Sequence, residues 1–168
     1  MKSLLFIGLL FSLFATAIDA QRPPFGSSSD LVLNIPSSVF SPVKDADHFK
    51  ASIGQGGAYF DPPVPTGLMT APLNLPVGAR ITGVRIYTYD SSSRDMVVSL
   101  HREQMNGIDS QSLISYTTSG SSTSLITHNQ RANIQIEDNW GYYIRVQSDY
   151  WEGSNLKMKG VRLTYQLP

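Results

Sequence analysis

The chain has 168 residues with 13 basic and 13 acidic side chains, and it contains no cysteine. Zero net charge argues against nucleic acid or an anionic membrane as the main partner, since both select a basic surface. The missing cysteine excludes disulfides and a lipid-modified lipoprotein anchor. Only 15% of residues are charged, against roughly 25% in ordinary soluble domains, so Ser, Thr, Asn and Gln supply much of the polar surface. Such a surface suits neutral partners: glycans, proteins or further copies of the chain.

The first twenty residues, "MKSLLFIGLLFSLFATAIDA", carry one positive residue, Lys2, then an apolar run from Leu4 to Phe14, then small residues. That order is the secretory leader pattern, with cleavage expected after Ala17 or Ala20. The apolar run is well short of the ~20 residues of a membrane-spanning helix. The chain is therefore expected to be secreted, periplasmic or at the cell surface, with no membrane span. Losing the leader removes Lys2 and Asp19 together and leaves the charge at zero. The absence of an N-x-S/T sequon and of cysteine in an exported chain points to a bacterial source. What remains is long enough for one domain that buries roughly 70% of its unfolded surface without staples.

Residues 21–30, rich in Pro, Gly and Ser, read as a flexible lead-in, and residues 31–168 as the folded domain. Leu31, Leu33 and Ile35 alternate along a short strand stopped by Pro36. From Pro36 to Thr66 the Gly and Pro density predicts a long irregular connection, of the kind that covers a core or carries function. Met69, Ala71, Leu73 and Leu75 then alternate into a turn at Pro76 and Gly78. Ile81–Asp90 and Met96–Arg102 form a hairpin around "SSSRD". The segments "SLISYTTS", "TSLITH", "NIQIE", "WGYYIRVQS" and "LKMKGVRLTYQL" each read as strands. In the last, Leu156 and Met158 are even and Val161, Leu163 and Tyr165 odd, so one face can hold both sets only with a bulge at Lys159-Gly160. Eight or nine such strands predict an all-β antiparallel sandwich of the jelly-roll kind.

Two stretches are candidate sites. In "YDSSSRD", Asp90 and Asp95 begin an oxygen set for calcium. The same residues also serve a plain turn, in which Asp and Ser satisfy local backbone donors, and Arg94 offsets part of the negative charge. In "SDYWEGSN", Tyr150 and Trp151 sit in a polar turn, where aromatic rings stack on sugars or anchor a partner; packing into the core is the competing reading. Tyr87, Tyr89 and Trp140 are expected to pack in the core or under the long loop. Catalysis has no motif behind it. His48, His101 and His128 are scattered without metal spacing, no G-x-S-x-G elbow is present, and Asp45, Asp47 and His48 read as loop surface.

Leu75, Pro76, Gly78, Ala79, Ile81, Thr82, Tyr89, Asp90, Asp95, Leu100 and Arg102 follow in an order that continues with Asp138, Asn139, Tyr142, Arg145 and Val146. Gly160, Val161, Arg162 and Tyr165 complete it. Over Met69–Gln166 this order resembles that of uncharacterised secreted bacterial β-sandwich proteins, with Trp140 a bulky departure from it. The resemblance implies an extracellular sandwich, brings no activity, and makes the matching residues architectural. The functional expectation is a non-catalytic recognition or adhesion module binding glycan or protein through Tyr150 and Trp151. The alternatives are a self-associating structural subunit and a polysaccharide-active enzyme, which needs paired carboxylates in a cleft.

Overall fold

The computed structural model describes residues 30–52, 56–61 and 63–168. The leader, and all but the last residue of the lead-in, lie outside the described residues. The strands are β1 (Leu31–Pro36), β2 (Ser41–Lys44), β3 (Phe49–Ser52), β4 (Gly57–Phe60), β5 (Val64–Pro65), β6 (Leu68–Leu73) and β7 (Arg80–Asp90). They continue with β8 (Val97–Gln104), β9 (Ser110–Thr117), β10 (Ser122–Gln135), β11 (Trp140–Gln147), β12 (Tyr150–Trp151) and β13 (Leu156–Gln166).

A six-stranded antiparallel sheet runs β10-β7-β13-β4-β3, with β1 also paired to β13, and a five-stranded one runs β2-β6-β11-β8-β9. The chain crosses between sheets at β1–β2, β2–β3, β6–β7, β7–β8, β9–β10 and β10–β11, which is the jelly-roll way of weaving a sandwich. Alternation sends Ile86, Val84, Leu163 and Met158 from one sheet against Met69, Leu100, Ile144 and Val146 from the other. The short β12–β5 pair closes one end. No helix among the described residues is long and apolar enough to cross a membrane.

The expected bulge is present. Met158 pairs with Thr88 and Gly160 with Tyr87, leaving Lys159 as the extra residue, and Leu156, Met158, Val161 and Leu163 are all buried. A second parity switch, in β7, is not legible in the alternation: Ile81 is buried at an odd position and Val84, Ile86 and Thr88 at even ones. Register shifts on both sides of Thr82 absorb it.

Four expectations are corrected. Ile81–Asp90 and Met96–Arg102 do not form a hairpin, because β7 lies in the six-stranded sheet and β8 in the five-stranded one. The segment 36–66 is not one irregular loop, since it holds β2, β3, β4 and β5. These strands are two to four residues long and pair mostly with distant segments, so they leave no local pattern to read. The segments "TSLITH" and "NIQIE" are one 14-residue strand, β10, because the residues between them include neither Gly nor Pro and the chain runs on through a register shift. Tyr87 and Tyr89 are not core residues either. They lie half-buried on the outer face of the larger sheet, where the Lys157 ammonium sits 5.3 Å from the Tyr89 ring centre.

Candidate functional site

The β7–β8 turn and the β11–β12 turn, far apart in sequence, are built against each other. Asp90 is fully buried, and its Oδ1 accepts the Ser92 N–H at 3.1 Å, the local turn bond that Asp and Ser form readily. Ser92 Oγ then donates to Glu152 Oε2 at 2.6 Å and Ser93 Oγ to Oε1 at 3.3 Å. The Ser92 bond is the main reason the Glu152 carboxyl titrates below its usual range. The Ser91 N–H donates to Asn155 O at 2.8 Å. Ser148 Oγ lies 2.7 Å from Asp95 O and 2.9 Å from Tyr150 O, and accepts the Tyr150 N–H at 3.2 Å. Arg94 reaches across to Asp149 at 3.7 Å and lies 5.8 Å from the Tyr150 ring centre. The serines of "DSSSRD" thus tie their turn to the connection after β12, while Asp95 and Arg94 meet Ser148 and Asp149 of the β11–β12 turn.

Tyr150 and Trp151 part company here. Tyr150 is 39% exposed at the rim of this end. Trp151 is 0% exposed: its indole packs 5.2 Å from the Phe60 ring and Nε1 donates to Gly67 O at 2.7 Å. The expectation that Trp151 contacts a ligand is therefore corrected. Gly67 makes its pocket, since a Cβ there would stand 2.7 Å from the indole. The polar neighbours of Trp151 in sequence carry no sign of a glycine 84 residues away.

Beside Tyr150 opens a groove of about 630 Å³, lined among others by Lys44, Thr66, Arg94, Asp95, Arg145 and Asp149. Arg145 projects from the outer face of β11, and its Nε is buried with no hydrogen-bond partner. A buried donor without a partner is costly, and native chains rarely keep one without a reason. Thr66 adds a second anomaly. Its φ is +58°, a left-handed conformation that a β-branched residue adopts only under constraint. The Asp149 carbonyl accepts its N–H at 3.3 Å, and Lys44 Nζ donates to its Oγ1 at 3.1 Å. Asparagine tolerates this conformation, so Thr66→Asn should raise the unfolding free energy by about 1 kcal/mol in a urea titration.

Asp95 is exposed at the groove while Asp90 is fully buried. No group of three or more His, Asp or Glu among the described residues could hold a metal ion. Asp45, Asp47 and His48 fall on a short 3-10 turn, remote in sequence from both turns. Trp140 is half-buried under the Arg102 guanidinium, 4.2 Å from its ring centre.

On the same outer face as Arg145, His101 stacks on Tyr143 at 5.6 Å. Burial, and secondarily the Arg145 charge, hold its imidazole below the usual pKa of 6.5. The unfolded chain thus takes up this proton at a higher pH than the folded one, so stability falls as pH drops below about 6.5 and levels off beneath the folded pKa. His101→Gln should flatten that slope in melting temperatures measured just below pH 6.5.

Neither a protein-family model nor a curated protein matches the chain. Solved structures similar to it include the C-terminal CBM6 of LamC, a marine laminarinase from Zobellia galactanivorans. That likeness has 13% identity over 80% of this chain and 99% of that one, with a TM-score of 0.49. Eiger TNF from S. frugiperda is 16% identical over 83% and 93%, with a TM-score of 0.44. TmCBM61, solved with β-1,4-galactotriose, is 17% identical over 83% and 85%, with a TM-score of 0.37. Likenesses this weak carry no functional argument.

Proposed function

We propose that the chain is an exported, non-catalytic recognition module that binds a glycan in the groove beside Tyr150. The observation that carries this reading is an open groove whose lining brings Lys44, Arg94, Asp95, Arg145 and Asp149 together next in sequence to the exposed Tyr150. Sugar hydroxyls both donate and accept, so they match a wall holding Lys44 and Arg145 as donors and Asp95 and Asp149 as acceptors. The Tyr150 ring supplies a flat face for a pyranose. Carboxylate catalysis needs one acid shielded from water, whereas the Asp149 side chain is 74% exposed. Export is supported by the leader pattern of residues 1–20. On a glycan array followed by calorimetry, Tyr150→Ala should weaken binding about tenfold, roughly 1.4 kcal/mol, with the melting temperature unchanged. Binding indifferent to both Tyr150→Ala and Arg145→Gln would sink the assignment.

A second reading, self-association, is favoured by one feature. The 14-residue β10 is a sheet edge paired only with β7 among the described residues, and Arg131 is its only charged residue. Edges this long are normally blunted by charge or proline. Light scattering that shows a monomer at high concentration would remove it.

A further inference from the structure

The outer face of the six-stranded sheet, away from the groove, gathers positive charge. Across β10, β7 and β13 one rung reads Asn129, Arg85, Arg162 and the next reads Arg131, Gly83, Thr164. Arg85 and Arg162 are therefore directly opposite one another on adjacent strands, a like-charge pairing that destabilises a sheet. Among the described residues no carboxylate pairs with either, or with Arg131. Arg85 Nε donates instead to Asn129 Oδ1, which fixes the guanidinium and leaves its outer N–H groups to solvent. In a chain with so few charges and none in excess, three arginines on two adjacent rungs are a cost the fold does not require.

Gly83 lies at the centre. The arginines surround a depression of about 510 Å³, lined also by Asn129 and Thr164 and by no acidic residue. Backbone conformation does not explain the glycine, because its φ is outside the left-handed region. Packing does not explain it either: a Cβ would meet Thr164 at 3.6 Å and nothing closer, an ordinary contact. A side chain would fit, and its absence is what keeps the depression open. Glycine in a strand interior weakens the strand and often marks a place where something else comes close.

We propose that the depression over Gly83, ringed by Arg85, Arg131 and Arg162, binds a carboxylate or sulfate group carried on an acidic polysaccharide. Guanidinium groups pair with planar or tetrahedral oxyanions through two parallel hydrogen bonds, and Asn129 and Thr164 are placed to meet neighbouring hydroxyls. The choice of a polysaccharide as carrier rests on the glycan-recognition reading. Nucleic acid is disfavoured because the chain is neutral overall and no aromatic ring lines the depression for base stacking. The site is on a different sheet from the groove, and the two bind independently.

The test is calorimetry of the purified protein at low salt against a polyuronate, a sulfated polysaccharide, a neutral glucan, inorganic sulfate and a single-stranded oligonucleotide. One or both acidic polysaccharides should bind, and rising salt should weaken that binding. Arg85→Gln and Arg162→Gln should each weaken it about tenfold. Gly83→Leu should abolish it with the melting temperature unchanged or raised, while Tyr150→Ala should leave it intact. Loss of acidic-polymer binding in Tyr150→Ala would place those polymers in the groove and overturn this site while sparing the groove. Failure of both acidic polymers to bind, unchanged binding in both arginine variants or in a folded Gly83→Leu protein, tighter binding of the oligonucleotide, or inorganic sulfate matching the polymers would also overturn it.

Discussion

Trp151→Ala should lower the unfolding free energy by about 3–5 kcal/mol, the usual cost of emptying a large aromatic site in a core. For a domain of this size that corresponds to a melting temperature roughly 10 °C lower. Three observations set the size. The side chain has no exposed surface, its ring meets Phe60 at 5.2 Å, and its N–H satisfies the Gly67 carbonyl at 2.7 Å. Trp151→Phe should keep most of the apolar contact but orphan that carbonyl, at a cost of about 1–3 kcal/mol. Tyr150→Ala, one residue away, should change stability by less than about 0.5 kcal/mol, as surface substitutions do. Urea titrations of the three variants separate a core tryptophan from a ligand-facing tyrosine. Equal, small effects at both positions would mean that Trp151 is not the plug of this end.

Gly160→Ala should cost about 1–3 kcal/mol through overpacking. The added Cβ would stand 2.8 Å from Ile35 O, a backbone atom of β1. Ile35 and Pro36 pair with Val161 and Gly160, so relief requires β1 to pull away from β13. A side-chain end could rotate aside, but a laddered carbonyl cannot. Gly83→Ala is the internal control, since its Cβ would meet only ordinary contacts; it should be neutral or stabilising, because strand interiors favour residues other than glycine. A Gly160→Ala protein as stable as wild type would show that the bulge is free to move.

Where the chain alternates over six or more residues, as in β6, β8 and β13, its architecture is legible in the sequence. The parity switch around Lys159-Gly160 locates a bulge because two apolar sets must share one core. The corresponding switch in β7 is hidden, since Thr82 and Gly83 interrupt the pattern without leaving a second apolar set out of phase. Strands β2 to β5 are hidden for another reason. Except for the β3–β4 pair they are held by distant partners, β6 for β2, β13 for β4 and β12 for β5, and strands of two to four residues are too short to show a period.

The candidate site divides along the same line. Tyr150, Asp95 and Arg94 are visible because turns expose polar and aromatic side chains. Lys44 and Thr66 come from the segment that reads as a loop; Lys44 joins the groove only once β2 pairs with β6, and Thr66 only once β5 pairs with β12. Arg145 occupies an ordinary outward position in β11; nothing local tells that its Nε loses solvent without gaining a partner. Burial of that kind is set by neighbouring strands, and it is also what misplaces Trp151 when only its polar neighbours are read.

The central claim is that the β7–β8 and β11–β12 turns form one recognition surface. An NMR titration with a glycan that binds on an array tests it directly. Backbone shifts at 93–97 and 145–150 should move together along one saturation curve, whose midpoint should move to about tenfold more glycan in Tyr150→Ala. Shifts concentrated elsewhere on the sandwich, or a curve unchanged in Tyr150→Ala, would contradict it.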